Sequence, residues 1–281
     1  AIHFARWFHE VSGPDPIKLV GVHVLEQAHL QAALRYHHLE ELETAATEAA
    51  ALIVDGADAE HCLGKRHIVQ GVHASKALAK SHETHGAEGT IVGRLAPRDS
   101  ARIQRLGRTA RRLLRQLPGP VLVVPPDYTP PAADAPVVVT TNLRQDSATA
   151  MHFGVEFAQR TGRKVVALHV IPEPDDYAAH YIPSESRAKI AAEHDRDAKL
   201  QMKKWLTGLG LEADHEEILA GNITETTLAY AKEKGAALLV SGSRRMSTVE
   251  RFLLTSIGSE LAANATSPVA VVPPMDADLV P

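Results

Sequence analysis

The sequence predicts an α/β protein made of two copies of one domain, each a mainly parallel sheet with helices on both faces. Three observations carry this. First, both halves close on the same strand, Pro120-Val121-Leu122-Val123-Val124-Pro125 and Pro268-Val269-Ala270-Val271-Val272-Pro273. The echo runs backward from there. Val20-Gly21-Val22-His23-Val24 matches Val166-Ala167-Leu168-His169-Val170, and Gln70-Gly71-Val72 matches Ala220-Gly221-Asn222. Thr90-Ile91-Val92-Gly93-Arg94 matches Leu239-Val240-Ser241-Gly242-Ser243. A period of about 140 residues is a domain, not a solenoid repeat of about 20–50. Second, apolar runs alternate with helical stretches of about ten or more residues, the pattern of βαβ units. Third, Ile17-Lys18-Leu19-Val20-Gly21-Val22 and Thr90-Ile91-Val92 are too continuously apolar for strands with one wet face, as expected when helices cover both sides.

The elements follow in order. The first copy predicts helix 2–12, strand 17–25, a long helix 27–53, strand 59–69, helix 73–85, strand 88–93, helix 102–117 and strand 121–125. Its opening residues already read as a helix, with apolar positions 4, 5 and 8, so this copy is expected to lack a first strand and the loop after it. The second copy predicts strand 137–142, helix 146–161, strand 164–171, helix 184–208 and strand 211–219. Helix 223–234, strand 236–241, helix 251–265 and strand 268–273 complete it. Gly162 and Gly235 stand where helix C-termini need left-handed residues. The proline-rich stretch 125–136 can be neither helix nor central strand. The expected domains are therefore 1–126 and 136–275, with a short semi-rigid linker at 127–135.

Composition narrows the function classes. A chain of 281 residues suits two domains, and 44% hydrophobic content lets each bury a core. Aromatics are only 4%, so Val, Leu, Ile and Ala must fill those cores. The net charge of −4 speaks against a nucleic-acid binder. Cys62 is the only cysteine, which excludes a disulfide framework and suits a reducing compartment. No apolar run reaches the ~18 residues of a membrane span, so the expected location is the cytoplasm.

Open α/β sheets bind ligands at the carboxyl ends of their strands, which directs attention to the loops after residues 142, 171 and 241. No Gly-x-Ser-x-Gly elbow or Walker loop is present, and no catalytic residue is assigned. The acids Asp175 and Asp176 lie in a proline-rich loop. His61, Cys62, His67 and His73 show no metal-ligand spacing, so no metal is expected. His23 and His169 occupy equivalent strand positions and predict a repeated structural hydrogen bond. Arg98, Arg102, Arg105 and Arg112 share one helical face within an arginine-rich stretch that also holds Arg94, Arg108, Arg111 and Arg115. A solvated face is the plainer reading than an anion surface, since no aromatics interleave.

The repeated strand-His-Val, the glycine after strand four and the closing Pro-Val-x-Val-Val strand resemble the universal stress protein family, in a tandem arrangement over nearly the whole chain. That resemblance implies a five-stranded, flavodoxin-like (Rossmann-like) sheet. Many members bind ATP or AMP through an acidic residue after strand one and a Gly-x2-Gly-x9-Gly-Ser/Thr loop. Such a loop works because glycines let the backbone approach phosphates and the last residues open a helix facing the anion. Carried onto the second copy, the positions are Asn142, Val170, Gly242, Arg245, Thr255 and Ser256. Asn142 replaces the acid, Arg245 the second glycine and Thr255 the third. In the first copy Gly93 keeps the first glycine, Ala96 or Pro97 takes the second, and Gly107 is followed by Arg108 instead of a hydroxyl residue. The expected function is accordingly a non-enzymatic stress-response or signalling protein with degenerate nucleotide sites. Two alternatives stand beside it: an adenine-nucleotide sensor binding only in the second domain, and a nucleotide hydrolase, the fold being related to such enzymes. Any cofactor would be ATP or AMP in the second domain. Partners would be a protein or small molecule, neither membrane nor nucleic acid. The strands 121–124 and 269–272 are expected to pair as an internal pseudo-dimer, which leaves homo-oligomers open.

Overall fold

The structure is a computed structural model describing residues 1–95, 106–116, 118–172, 184–243 and 256–274. The chain divides into two compact units, Ala1–Pro130 and Pro131–Pro281.

The second unit is a doubly wound α/β domain. Its elements are β5 (Val137–Thr140), α6 (Ala148–Thr161), β6 (Val165–Ile171), α7 (Ser184–Leu209), β7 (His215–Ala220), α8 (Ile223–Glu233), β8 (Leu238–Gly242), α9 (Ile257–Asn264) and β9 (Val269–Val272). All pairings are parallel, in the order β7-β6-β5-β8-β9. The chain leaves β5 toward β6 and returns on its other side through β8, so the strand order reverses between β5 and β8. Their apolar runs are buried: β5 and β9 throughout, Leu238, Leu239 and Val240 in β8, and Leu168 in β6. Helix packing follows from small residues. Gly154 in α6 lies so near the sheet that a Cβ there would come within 2.3 Å of Val139 Cγ2. Gly258 in α9 does the same against Val271 at 3.0 Å. Gly162 ends α6 with φ 64°, a left-handed cap that glycine adopts without a Cβ penalty. Asn222 opens α8, its Oδ1 accepting from the backbone N–H groups of Thr224 and Glu225 at 3.0 and 3.1 Å.

The first unit contains α1 (Ile2–Val11), β1 (Leu19–Glu26), α2 (Gln27–Arg35), α3 (Leu39–Gly56), β2 (Leu63–Gly71), α4 (Ala74–Thr84), β3 (Thr90–Gly93), α5 (Arg108–Gln116) and β4 (Val121–Val124). Its strands form two parallel pairs, β1 with β2 and β3 with β4. In α1, Phe4, Ala5 and Trp7 are buried, and the Phe4 ring stands edge-on to Tyr128 at 5.5 Å. Leu25, Leu30 and Ala46 make a small core under α2 and α3, with Ile68 of β2 packed against it.

Three expectations need correction. The long helix 27–53 is two helices, because His37 adopts φ 61° between α2 and α3. No glycine or proline marks that break, so periodicity ran through it. The strand expected at 59–69 begins only at Leu63. Residues 57–62 instead close the end of α3: Asp58 takes φ 51°, and the N–H of Ala59 donates to the Val54 carbonyl at 3.0 Å. His23 does not repeat the role of His169: its side chain is exposed, whereas His169 bonds a backbone carbonyl.

Candidate functional site

The strand order in the second unit reverses between β5 and β8, and in this architecture the carboxyl ends at such a reversal are the usual ligand position. The loop leaving β5 is tightly self-bonded. Leu143 takes φ 60°, and the turn is held by its own side chains. The N–H of Leu143 donates to Thr141 Oγ1 at 2.9 Å, and that of Arg144 to Asn142 Oδ1 at 3.0 Å. Ser147 Oγ lies 2.9 Å from Asn142 Oδ1, 2.8 Å from Thr141 Oγ1 and 3.0 Å from the Arg144 carbonyl. His169 on β6 reaches across, its Nδ1 2.8 Å from the Thr141 carbonyl. Asn142 is thus an Asx-turn residue whose oxygen already accepts twice.

Gly242 ends β8 directly against this loop. A Cβ at 242 would sit 3.1 Å from the Asp146 carbonyl oxygen and 3.3 Å from Ser147 Cα. The glycine is therefore demanded by loop against strand, before any ligand is considered. Ser256 caps α9: its Oγ accepts from the Ser259 N–H at 3.2 Å and lies 2.9 Å from Ser259 Oγ. Ser256→Ala should destabilise the second unit by about 1 kcal/mol, read as a lower urea midpoint. Val170 is buried in β6, paired with Leu219 of β7. Arg245 and Thr255 lie outside the described residues, as do Asp175 and Asp176. The structure brings Asn142 and Gly242 together around Asp146 and Ser147. It places Val170 in the sheet core and Ser256 at a helix start.

Two contributors were not singled out from sequence. Thr141 and Ser147 carry the loop's hydrogen bonds, and the signal was a Thr-Asn pair followed by Ser five residues after Asn142. In the first unit, Glu26 at the end of β1 accepts from the Ala74 N–H at 2.9 Å and so caps α4. That bond, with Arg108 and Arg112 nearby, holds its carboxyl below the usual range. Arg94 follows Gly93 and is buried; burial lowers its pKa, opposed by the charge of Asp127.

Among the described residues no group of three histidine, cysteine or acidic side chains could hold a metal ion. His61 faces Glu10 at 3.5 Å. Cys62 is buried with Val54, Ala57 and Ala59, where desolvation raises its pKa. In α5, Arg108, Arg111 and Arg115 are exposed while Ala110, Leu113 and Leu114 face inward, the arrangement of a solvated helix face. Arg98, Arg102 and Arg105 lie outside the described residues. No described helix is long and apolar enough to cross a membrane.

Residues 135–273 match the model of the universal stress protein family. The chain carries a universal stress protein domain. A universal stress protein of Methanocaldococcus jannaschii is 26% identical over 140 residues, spanning 48% of this chain and 80% of that protein. In fold, the likeness extends over the full length. A universal stress protein structure from Archaeoglobus fulgidus aligns over 98% of this chain and 93% of its own, with TM-score 0.71 and 17% identity. A Pseudomonas aeruginosa protein of unknown function aligns over 95% of both chains, with TM-score 0.63 and 13% identity. At those identities the solved structures establish shared fold alone. The universal stress protein domain lies within the second unit, and the β5 and β8 strand ends described above belong to it.

Proposed function

We propose that this chain is a tandem universal stress protein acting in stress response or signalling without catalysing a reaction. Its second unit has turned the nucleotide end of the fold to structural use. One observation carries the reading: among the described residues, Asn142 and Gly242 at the β5 and β8 ends are committed to the protein itself. Asn142 Oδ1 accepts from Arg144 N–H and Ser147 Oγ, and Gly242 is closed over by the Asp146 carbonyl. A ligand using Asn142 would have to break bonds worth about 1 kcal/mol each, and Asn142 offers no negative charge in exchange.

The experiment is calorimetric titration of the full chain with ATP and AMP, joined to mass spectrometry of small molecules released on denaturation. No saturable heat and no released nucleotide are expected. Saturable binding that weakens in Ser256→Ala would replace this reading with the nucleotide sensor, and nucleotide turnover would replace it with the hydrolase. Gly242→Val is a poor probe, because its side chain would strike Asp146 and Ser147 whether or not a ligand binds.

A further inference from the structure

The first unit carries opposite charge on its two faces. Which helix covers which face is read from β1, whose successive residues point to opposite sides. Leu25 packs with Leu30 and Ala46, and with Leu39 and Leu42 of α3. Val24 points the other way, toward α4: a Cβ on Gly71 would lie 3.8 Å from Val24 Cγ1 and 2.9 Å from Ala77 Cβ. Helix α5 packs beside α4. Their first turns meet at Glu26, which accepts from the Ala74 N–H and lies beside Arg108 and Arg112. Together α4 and α5 hold six cations, Lys76, Lys80, Arg108, Arg111, Arg112 and Arg115, against the single acid Glu83, a net +5. Helix α3 holds five acids, Glu40, Glu41, Glu43, Glu48 and Asp55, and no base, a net −5.

Neither set is neutralised within the unit. Arg6 and Arg66 have acidic partners in Glu10 and Glu60. Lys76, Lys80, Arg111 and Arg115 are exposed, and among the described residues no carboxylate pairs with them. Glu40, Glu48 and Asp55 are likewise exposed, and no described cation pairs with them. Along α3, Glu41, Ala45, Glu48, Leu52 and Asp55 fall in one exposed stripe at helical spacing. Leu52 within that stripe is 72% exposed and Ile53 beside it 57%, so the acidic face also leaves apolar surface in water.

We infer that the α4–α5 face docks α3 of a second copy of this chain. Charge complementarity selects this occupant, and the dimensions agree. The 18 residues of α3 span about 27 Å, enough to cross two packed helices whose axes lie about 10 Å apart. Arginine and lysine stems cover Leu52 and Ile53 while their charged ends reach Glu48 and Asp55. A nucleic acid fits less well, since α4 and α5 carry no Phe, Tyr or Trp on which bases could stack. The two faces differ, so the contact is heterologous and each copy can take one neighbour on each face. Three helices offer less than the ~800 Å² per partner of a standard interface, so association belongs to high concentration and low salt. This inference goes beyond the proposed function and holds whether or not a nucleotide binds.

The test is sedimentation velocity of the full chain from about 10 to about 300 μM, at about 20 and about 300 mM salt. At the lower salt the weight-average mass should rise with concentration, and the apparent Kd should weaken by about tenfold or more at the higher. Arg111→Glu with Arg115→Glu should stay monomeric, and so should Glu48→Lys with Asp55→Lys. Their mixture should form a one-to-one dimer and nothing larger, because each variant keeps the face that the other has lost. Circular dichroism melts establish that the variants fold. Where a charge reversal does not, glutamine at the same two positions replaces it, with the same pattern expected. A wild-type chain that stays monomeric overturns the inference. So does self-association that ignores salt or survives in both variants, or a mixture of folded variants that stays monomeric. Polyglutamate or polyphosphate bound by a chain that remains monomeric also overturns it, and makes another polyanion the occupant.

Discussion

Gly154→Leu should leave the second unit unfolded, and Gly154→Ala should destabilise it by about 2 kcal/mol, seen as a lower urea midpoint with an unchanged slope. The sign is the informative part. Glycine inside a helix costs about 1 kcal/mol relative to alanine, so on helix propensity alone Gly154→Ala would stabilise α6. The opposite is expected because α6 approaches β5 so closely that an added Cβ would lie 2.3 Å from Val139 Cγ2. A methyl group on Val139, itself fully buried, has nowhere to go. Double substitution with Val139→Ala should recover most of the loss, since it removes the atom that is struck. A Gly154→Ala protein with a raised midpoint would show that helix and sheet are spaced more widely than described.

Leu168→Ala should cost about 3–4 kcal/mol, near the top of the range for buried leucine truncations. Leu168 is fully buried in β6, between β5 and β7, where its register partners are Thr140 and Glu217. Strands on both sides leave little freedom for the backbone to collapse into the cavity. The comparison that sharpens this uses the first unit. Val20→Ala, two positions before the place equivalent to Leu168, should cost less than about 0.5 kcal/mol, because Val20 is 42% exposed and little area is returned to water. Equal costs at the two sites, measured by urea unfolding, would mean that both strands are equally enclosed in solution.

Much of the fold was legible because its signals are local or repeated. The β6 strand read directly from Val165–Ile171, as did β9 from its flanking prolines, and α6 ended at Gly162 as a left-handed cap requires. The break in the helix expected over 27–53 was not legible. His37 enters the left-handed region without a glycine to announce it, and the residues around it keep helical periodicity. The start of β2 was misplaced as well: no glycine or proline separates residues 57–62 from the strand, yet they wrap back on Val54 through backbone bonds. At the candidate site the motif positions Asn142, Gly242 and Ser256 were legible through the family resemblance. The hydrogen bonds around Asn142 were not. Those depend on Thr141 and Ser147, whose side chains meet only after the turn at Leu143 has formed.

The sequence by itself determined the α/β class, the repeated order of elements, and the departures of Asn142, Arg245 and Thr255 from the nucleotide motif. These are properties of periodicity, punctuation and residue identity, all carried within short windows. Only the tertiary structure decided that His169 bonds a backbone carbonyl while the side chain of His23 is exposed, and that Val166 is enclosed while Val20 is not. Near-identical segments diverge there because burial and hydrogen bonding belong to whatever strand lies alongside, and a strand's own residues do not specify its neighbour.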